Sequence, residues 1–243
     1  MIIDILTLFP KFYESPLSVG VIGMAVNEKK IDLNIIDMRI YGEGNYKKCD
    51  DYPYGGGPGM IMTYGIFKKY FESHKRGYTV IFSPSGKTIN QKKIKELSDM
   101  NHITMVLGHY EGIDYRVEKK YCNESLSIGD YVLSGGEIPA LLLIDAVARY
   151  KDVMNNNESV TSDTFEKNSG GLLEYEQYTR PKQIDDMKVP EILLSGNHKN
   201  INEYRRKRSI IKTFKNRADL FSKIDLNKKD IEAIFCHLKE KNK

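Results

Sequence analysis

Ser127-Ile128-Gly129-Asp130-Tyr131-Val132-Leu133-Ser134-Gly135-Gly136-Glu137 joins an apolar, strand-like run to a helix through glycines that an ordinary strand does not need. Leu126 to Leu133 reads as a short buried strand, and Glu137 to Tyr150 as a helix with Ile138, Leu141, Leu142, Ala146 and Val147 at helical spacing. Gly129, Gly135 and Gly136 permit positive φ and close approach of the backbone to a bound group, while Tyr131, Val132 and Leu133 offer an apolar wall. Taken alone, a Gly-Gly pair before a helix is an ordinary turn. The surrounding chain decides between turn and ligand cradle.

Outward from this stretch, strand-like and helical patterns alternate. Ile2 to Leu8, Ile31 to Asp37, Tyr78 to Phe82 and Ile103 to Leu107 read as strands with helices between them. Ser15-Pro16 forms an N-cap and N1 pair for a segment running to about Lys30, and Asn90 caps the next, to about Met100. The alternation predicts an α/β fold with a parallel sheet covered on both faces. From Lys151 to Gly171 the pattern gives way to Asn155-Asn156-Asn157, scattered Ser and Thr, and Gly170-Gly171, which read as a linker or mobile loop. Beyond Val189-Pro190, helices are expected at about Ile201 to Asn216 and Asn227 to Lys239. The organisation expected is an α/β domain over 1–150, a linker over 151–171 and a small helical domain over 172–243.

A chain of 243 residues with 40% hydrophobic content can bury an ordinary core in one or two domains. The N-terminal Met-Ile-Ile-Asp-Ile-Leu-Thr-Leu-Phe-Pro has no basic flank and carries an Asp inside its apolar run, so it reads as a first strand rather than a signal peptide. No segment approaches the roughly 20 apolar residues of a membrane span. Cys49, Cys122 and Cys236 are widely separated and lack C-x-x-C spacing, which points to a reducing, cytoplasmic setting and against a disulfide frame or zinc site. Charge is uneven: Lys199 to Lys243 carries 14 Lys and Arg against 6 Asp and Glu, although the whole chain sums to only +4. Such a basic C-terminal quarter suits either a polyanion partner or a lysine-rich soluble surface.

Ser85-Gly86-Lys87-Thr88 has the tail of a phosphate-binding loop, but Ile81 stands where the first glycine belongs and Pro84 removes an amide donor. Gly55-Gly56-Gly57-Pro58-Gly59 lacks G-x-G-x-x-G spacing, and the five histidines form no i, i+4 pair, so no protein-held metal centre is expected. Three loops remain, each after a predicted strand: Ser83-Pro84-Ser85-Gly86, Gly108-His109-Tyr110-Glu111-Gly112, and the opening stretch. In a parallel sheet such loops gather at the carboxyl edge and form the ligand crevice. Backbone amides, small residues and carboxylates there suit a polar, cationic ligand with an adenine face.

Five motifs now stand in one order: Tyr54-Gly55-Gly56-Gly57-Pro58-Gly59-Met60, Gly108 to Gly112, Ser127 to Glu137, Tyr178-Thr179-Arg180-Pro181, and Val189-Pro190-Glu191-Ile192-Leu193-Leu194-Ser195-Gly196-Asn197-His198. With Leu8-Phe9-Pro10, they resemble the bacterial tRNA (guanine-N1)-methyltransferases of the SPOUT superfamily. The resemblance implies a deep trefoil knot in the α/β domain, an obligate homodimer with an active site shared between subunits, and a C-terminal domain that holds the tRNA anticodon stem-loop. It implies S-adenosyl-L-methionine in the knot, touched by Ser83, Pro84, Gly108, Glu111, Ile128, Gly129, Asp130, Tyr131, Val132, Leu133, Gly135, Gly136 and Pro139. The methyl acceptor it implies is N1 of the guanosine just 3′ of the anticodon, with magnesium assisting without a dedicated protein-held site.

By the same resemblance, Arg149 and Asp163 match the catalytic pair. Guanine N1 carries a proton at neutral pH, so a carboxylate placed against it acts as general base, the role assigned to Asp163. Negative charge then grows on O6, where the guanidinium of Arg149 would stabilise it. On their own, Asp163 is a solvated loop charge and Arg149 a helix C-terminal charge. The helix near Ile201 to Asn216 carries Arg205, Arg206, Lys207, Arg208, Lys212 and Lys215, with Ile201, Tyr204, Ile211 and Phe214 facing a core, and suits phosphate contacts to the anticodon stem. This chain departs from the family where a Pro-Gly stretch is expected after Arg149, at Ser162 where a Glu is usual, and at Tyr204 where a Trp is expected. Alternatives are a knotted methyltransferase acting on a ribose 2′-hydroxyl or another base, and a non-catalytic RNA-binding protein.

Overall fold

Ile2–Thr7 (β1) buries every side chain after the first, as expected of a strand covered on both faces. The chain continues through α1 (Gly20–Asn27), β2 (Asp32–Asp37), the two-residue strands β3 (Asp50–Asp51) and β4 (Ile61–Met62), α2 (Tyr64–Ser73), β5 (Tyr78–Thr88), α3 (Gln91–Ser98), β6 (His102–Val106), α4 (Tyr115–Tyr121), β7 (Glu124–Ser127) and α5 (Glu137–Ala148). After these come a hairpin of β8 (Gln183–Ile184) and β9 (Met187–Lys188), then α6 (His198–Asn216), α7 (Ala218–Phe221) and α8 (Lys228–Lys241). This computed structural model describes residues 1–151, 164–165 and 170–241, and the chain divides into two units, Met1–Asn155 and Asn156–Lys243.

In the first unit β2, β1, β6, β5 and β7 lie side by side in that order, all parallel. One face packs Ile3, Ile5, Met105 and Leu126 against Ile22 of α1, Leu97 of α3 and Leu143 and Ile144 of α5. The other packs Leu6, Ile81 and Val106 against Phe67 and Tyr70 of α2 and Val117 of α4. From β5 the chain steps to β6 on one side, then to β7 on the other. That reversal opens a crevice outside the carboxyl ends of these three strands.

Two local expectations meet a different outcome. The strand expected over Leu126 to Leu133 ends at Ser127. There Ser127 Oγ bonds to the N–H and the carbonyl of Gly129, both at 3.2 Å, and Gly129 adopts φ +145°, so the chain leaves the sheet. Ser15 does not cap a helix; Pro16–Ser18 forms a 3-10 turn and α1 begins at Gly20. Asn90 does cap α3, its side chain accepting the Lys93 N–H at 3.0 Å. The linker expected over 151–171 falls mostly outside the described residues.

In the second unit, Asn197 caps α6 by accepting the Asn200 N–H at 3.2 Å. Ile201, Ile210 and Ile211 are buried, while Phe214 meets Phe221 edge-on with ring centres 5.1 Å apart. Arg206 on α6 holds Asp230 on α8 through two hydrogen bonds, 2.9 and 2.7 Å.

Candidate active site

The crevice holds a cavity of about 390 Å³ walled by the middle of β5, where its register on β7 breaks between Phe82 and Lys87, and by the loops after β6 and β7. The strand expected to end at Phe82 instead runs on to Thr88, and its irregular middle supplies Ser83 and Pro84; Ser83 Oγ lies 2.8 Å from Ser85 Oγ and accepts the Ser85 N–H at 3.2 Å. The β6 loop supplies Gly108 and Glu111. Its path is set by Glu111 N–H donating to the Met60 carbonyl and Gly112 N–H to the His109 carbonyl, both at 3.0 Å. Ile128, Gly129, Tyr131, Val132, Leu133, Gly135 and Gly136 come from the loop after β7, and Pro139 from the first turn of α5. Asp130, expected with them, does not line the cavity.

The β6 and β7 loops are locked to each other by main chain. Gly136 N–H donates to the Gly108 carbonyl at 2.9 Å, and His109 and Gly135 form a β-bridge. A methyl group on Gly135 would run into the Glu137 carboxylate, lie 2.6 Å from His109 Nδ1 and come within 3.3 Å of the Gly108 carbonyl, so glycine spares both side chains a shift. Glu137, nearly buried at the start of α5, accepts a hydrogen bond from Thr7 Oγ1 at 3.0 Å, and its carbonyl accepts the Tyr13 hydroxyl at 3.1 Å. Burial first, then the neighbouring Glu137 charge, pushes the Tyr13 hydroxyl well above its ordinary range, so it remains a donor.

His109 and Tyr110 also line the cavity, as do Phe82 and Ile113. The loop motif containing His109 and Tyr110 was legible, but no spacing said which of its side chains turn inward. Burial, then Asp50, raises the Tyr110 hydroxyl, with Arg39 opposing. The glycine-rich run Gly55 to Gly59, to which spacing assigned no chemistry, ends against Glu111: a methyl group on Gly59 would lie 2.5 Å from its Cγ.

The family described as tRNA (Guanine-1)-methyltransferase TrmD matches residues 1–223. The chain belongs to this tRNA (guanine-1)-methyltransferase family. A protein of Thermosipho africanus named tRNA (guanine-N(1)-)-methyltransferase is 41% identical over 244 residues, covering 99% of this chain and 98% of its own. A protein of the same name from Alkaliphilus oremlandii is 44% identical over 241 residues, covering 95% of this chain and 96% of its own.

In this member of the family, Arg149 stands just past α5, its N–H donating to the Asp145 carbonyl at 3.3 Å. It does not line the cavity. The two ends of α5 are roughly 18 Å apart at 1.5 Å per residue, so one wall residue and Arg149 sit at opposite ends of one rod. Asp163 lies outside the described residues. Of the basic residues on α6, Arg206 pairs with Asp230 and Arg208 with Glu176, each bidentate; Lys212 Nζ reaches the Glu174 carbonyl at 2.7 Å, and the Arg205 guanidinium lies over the Tyr175 ring. Lys215 occupies the last turn of α6. Among the described residues no helix is long and apolar enough to cross a membrane.

Proposed function

We propose that this chain transfers a methyl group from S-adenosyl-L-methionine to N1 of a tRNA guanosine, the one just 3′ of the anticodon. The observation that carries the reading is the cavity itself: the middle of β5 and two strand-end loops of a parallel sheet, the loops joined by main chain, in a chain of this family. Its lining fits the donor. Ile128, Val132 and Leu133 suit a planar adenine, and Glu111 and Glu118 suit a positively charged sulfonium and amine. Ser83, Pro84, Gly108, Gly129, Tyr131, Gly135, Gly136 and Pro139 would complete the hold, with Asp130 the one expected contact standing off the wall. The donor, when bound, supplies an electrophilic methyl group on sulfur.

The chain's own groups supply the acid–base work. Asp163 takes the proton from guanine N1, and Arg149 stabilises the negative charge that appears on O6. Because α5 separates Arg149 from the cavity wall by its full length, a homodimer is proposed in which one subunit's Arg149 serves the other's donor site. Exposed apolar residues on the outer side of α5 and its leading loop, Ile138, Leu142 and Val132, support such a contact. A trefoil knot is supported by the course of the chain from β7, beyond β5, back to Gly108 and into α5, while Lys87 and Thr88 pair with Leu126 and Ser127 beside it. Residues 1–150 would then form the donor domain and 172–243 the tRNA-holding domain, with Arg205, Arg206, Arg208, Lys212 and Lys215 near the phosphates.

The test is product mapping. Full-length protein, methyl-tritiated S-adenosylmethionine and an unmodified tRNA transcript should yield labelled N1-methylguanosine, and none when the target guanosine is replaced by adenosine. A labelled ribose methyl, or no label, would overturn the proposal.

A further inference from the structure

The second unit contains a cavity of about 420 Å³ to which Tyr178, Thr179 and Arg180 of one motif and Val189, Leu193 and Leu194 of another contribute, and to which the methyl-transfer site gives no role. The hairpin of β8 and β9 folds back so that Val189 N–H donates to the Lys182 carbonyl at 2.9 Å, and both residues reach the same wall. The 3-10 turn Glu191–Leu194 and the start of α6 add apolar Leu193, Leu194 and Ile201. The segment before the hairpin adds Tyr175 and Tyr178, the latter 45% exposed.

Charge in this cavity is one-sided. Arg180, Lys182 and Arg205 line it against a single carboxylate, Glu176, which is already held by Arg208 at 2.9 and 2.8 Å. The Arg205 guanidinium sits 4.8 Å from the Tyr175 ring centre, making a cationic and aromatic surface, and its Nε is buried without a hydrogen-bond partner. Exposed aromatic and aliphatic faces beside uncompensated cations match a ligand that is flat and apolar at one end and anionic at the other.

We infer that this cavity takes one unstacked nucleotide of the tRNA, its base against Tyr178 and Leu194 and its phosphate against Arg180 and Lys182. The inference rests on tRNA being the substrate and adds a contact apart from the methylated guanosine. Single-stranded nucleotides are held in this way elsewhere, by stacking on aromatic rings beside a basic groove.

The experiment uses full-length protein and an unmodified tRNA transcript carrying 4-thiouridine. Photocrosslinking followed by peptide mass spectrometry should place a crosslink on Tyr175 or Tyr178. Tyr178→Leu should weaken transcript binding roughly tenfold or more through lost stacking. Arg180→Gln, on the surface and safe for folding, should lower the slope of log affinity against log salt by about one phosphate contact. Donor binding should be unchanged in both. Wild-type transcript affinity and salt slope in both variants, with crosslinks elsewhere, would overturn the inference while leaving N1-methylguanosine formation intact. Conversely, a wild-type protein that crosslinks through Tyr178 but never forms N1-methylguanosine would sink the proposed reaction and keep the cavity's assignment.

Discussion

Gly136 donates its N–H to the carbonyl of Gly108 at 2.9 Å, so the loop leaving β7 is fastened to the loop leaving β6 by main chain. A wall held by backbone bonds does not have to be ordered when a ligand arrives, which lowers the entropic cost of binding. It also tolerates side-chain growth poorly, because the approach distance is set by the chain and not by a rotamer.

Gly135→Ala tests that wall. The added methyl group would meet the Glu137 carboxylate and His109 Nδ1, so both side chains, one nearly and one partly buried, must shift to admit it. Overpacking of this kind costs roughly 1–3 kcal/mol. Calorimetric titration should show S-adenosylmethionine affinity reduced by about tenfold or more, which corresponds to at least about 1.4 kcal/mol. Wild-type affinity would mean that Glu137 and His109 give way without consequence for the ligand.

Asp163→Ala should retain donor affinity and lose turnover by about 10²–10⁴-fold, the contribution of a positioned general base. Arg149→Lys keeps a charge but loses the planar fork, and should slow single-turnover methylation with little effect on donor binding. Near-normal turnover in Asp163→Ala would remove it as the base. If Arg149 serves the partner's site, mixing Arg149→Ala protein with a donor-site variant should restore part of the activity that neither has alone.

How much of this was legible depended on what each residue type answers to. The strands from Ile2, Tyr78 and Ile103 were visible because a buried parallel strand begins as a continuous apolar run, whereas β2, at the sheet edge with no side chain fully buried, showed only through its aliphatic residues. The run Leu126 to Leu133 misled for the same reason: Tyr131, Val132 and Leu133 are apolar to line a cavity, not a sheet. Gly86 lies where β7 passes so closely that a side chain would come 2.6 Å from the Leu126 nitrogen, so its Gly-Lys-Thr neighbourhood reflects strand packing and not phosphate binding. The short helices α2 and α4 were not placed, although Asp114 caps α4 by accepting the Arg116 N–H at 2.9 Å; Thr63 stands at the start of α2 without a side-chain capping bond. The engagement of Arg206 and Arg208 with Asp230 and Glu176 was invisible, since the partners lie 24 and 32 residues away.

Cysteine reactivity offers an independent check on the packing. Burial, reinforced by Glu118, pushes the Cys122 thiol up to about 12, and burial also raises Cys49. At pH 8 only about one Cys122 in ten thousand is then thiolate, the reactive form. Cys236 is exposed on α8. Iodoacetamide at that pH should modify Cys236 quickly, with Cys49 and Cys122 following only in denaturant, as read by peptide mass spectrometry. Equal rates for Cys122 and Cys236 would contradict the burial of the α4 end.

The contact between Arg206 and Asp230 joins α6 to α8, and its carboxylate is only 2% exposed. Asp230 also accepts the Asn227 N–H at 3.0 Å while its own N–H donates to Asn227 Oδ1 at 3.0 Å, a reciprocal cap for the first turn of α8. Burial alone would raise this carboxyl, but the bonds from Arg206 and Asn227 outweigh it and hold it below its ordinary 3.8. A depressed carboxyl adds stability that is fully present above the unfolded value and is lost as pH falls through the lower, folded one. Asp230→Asn removes the charge and leaves the guanidinium unpaired, at a cost of roughly 1–3 kcal/mol. The melting temperature of this variant should therefore trail that of the wild type by a constant gap between about pH 5 and 7, and the gap should close below about pH 4. A gap that stayed constant through acid would mean that the Asp230 charge contributes nothing and only its shape matters.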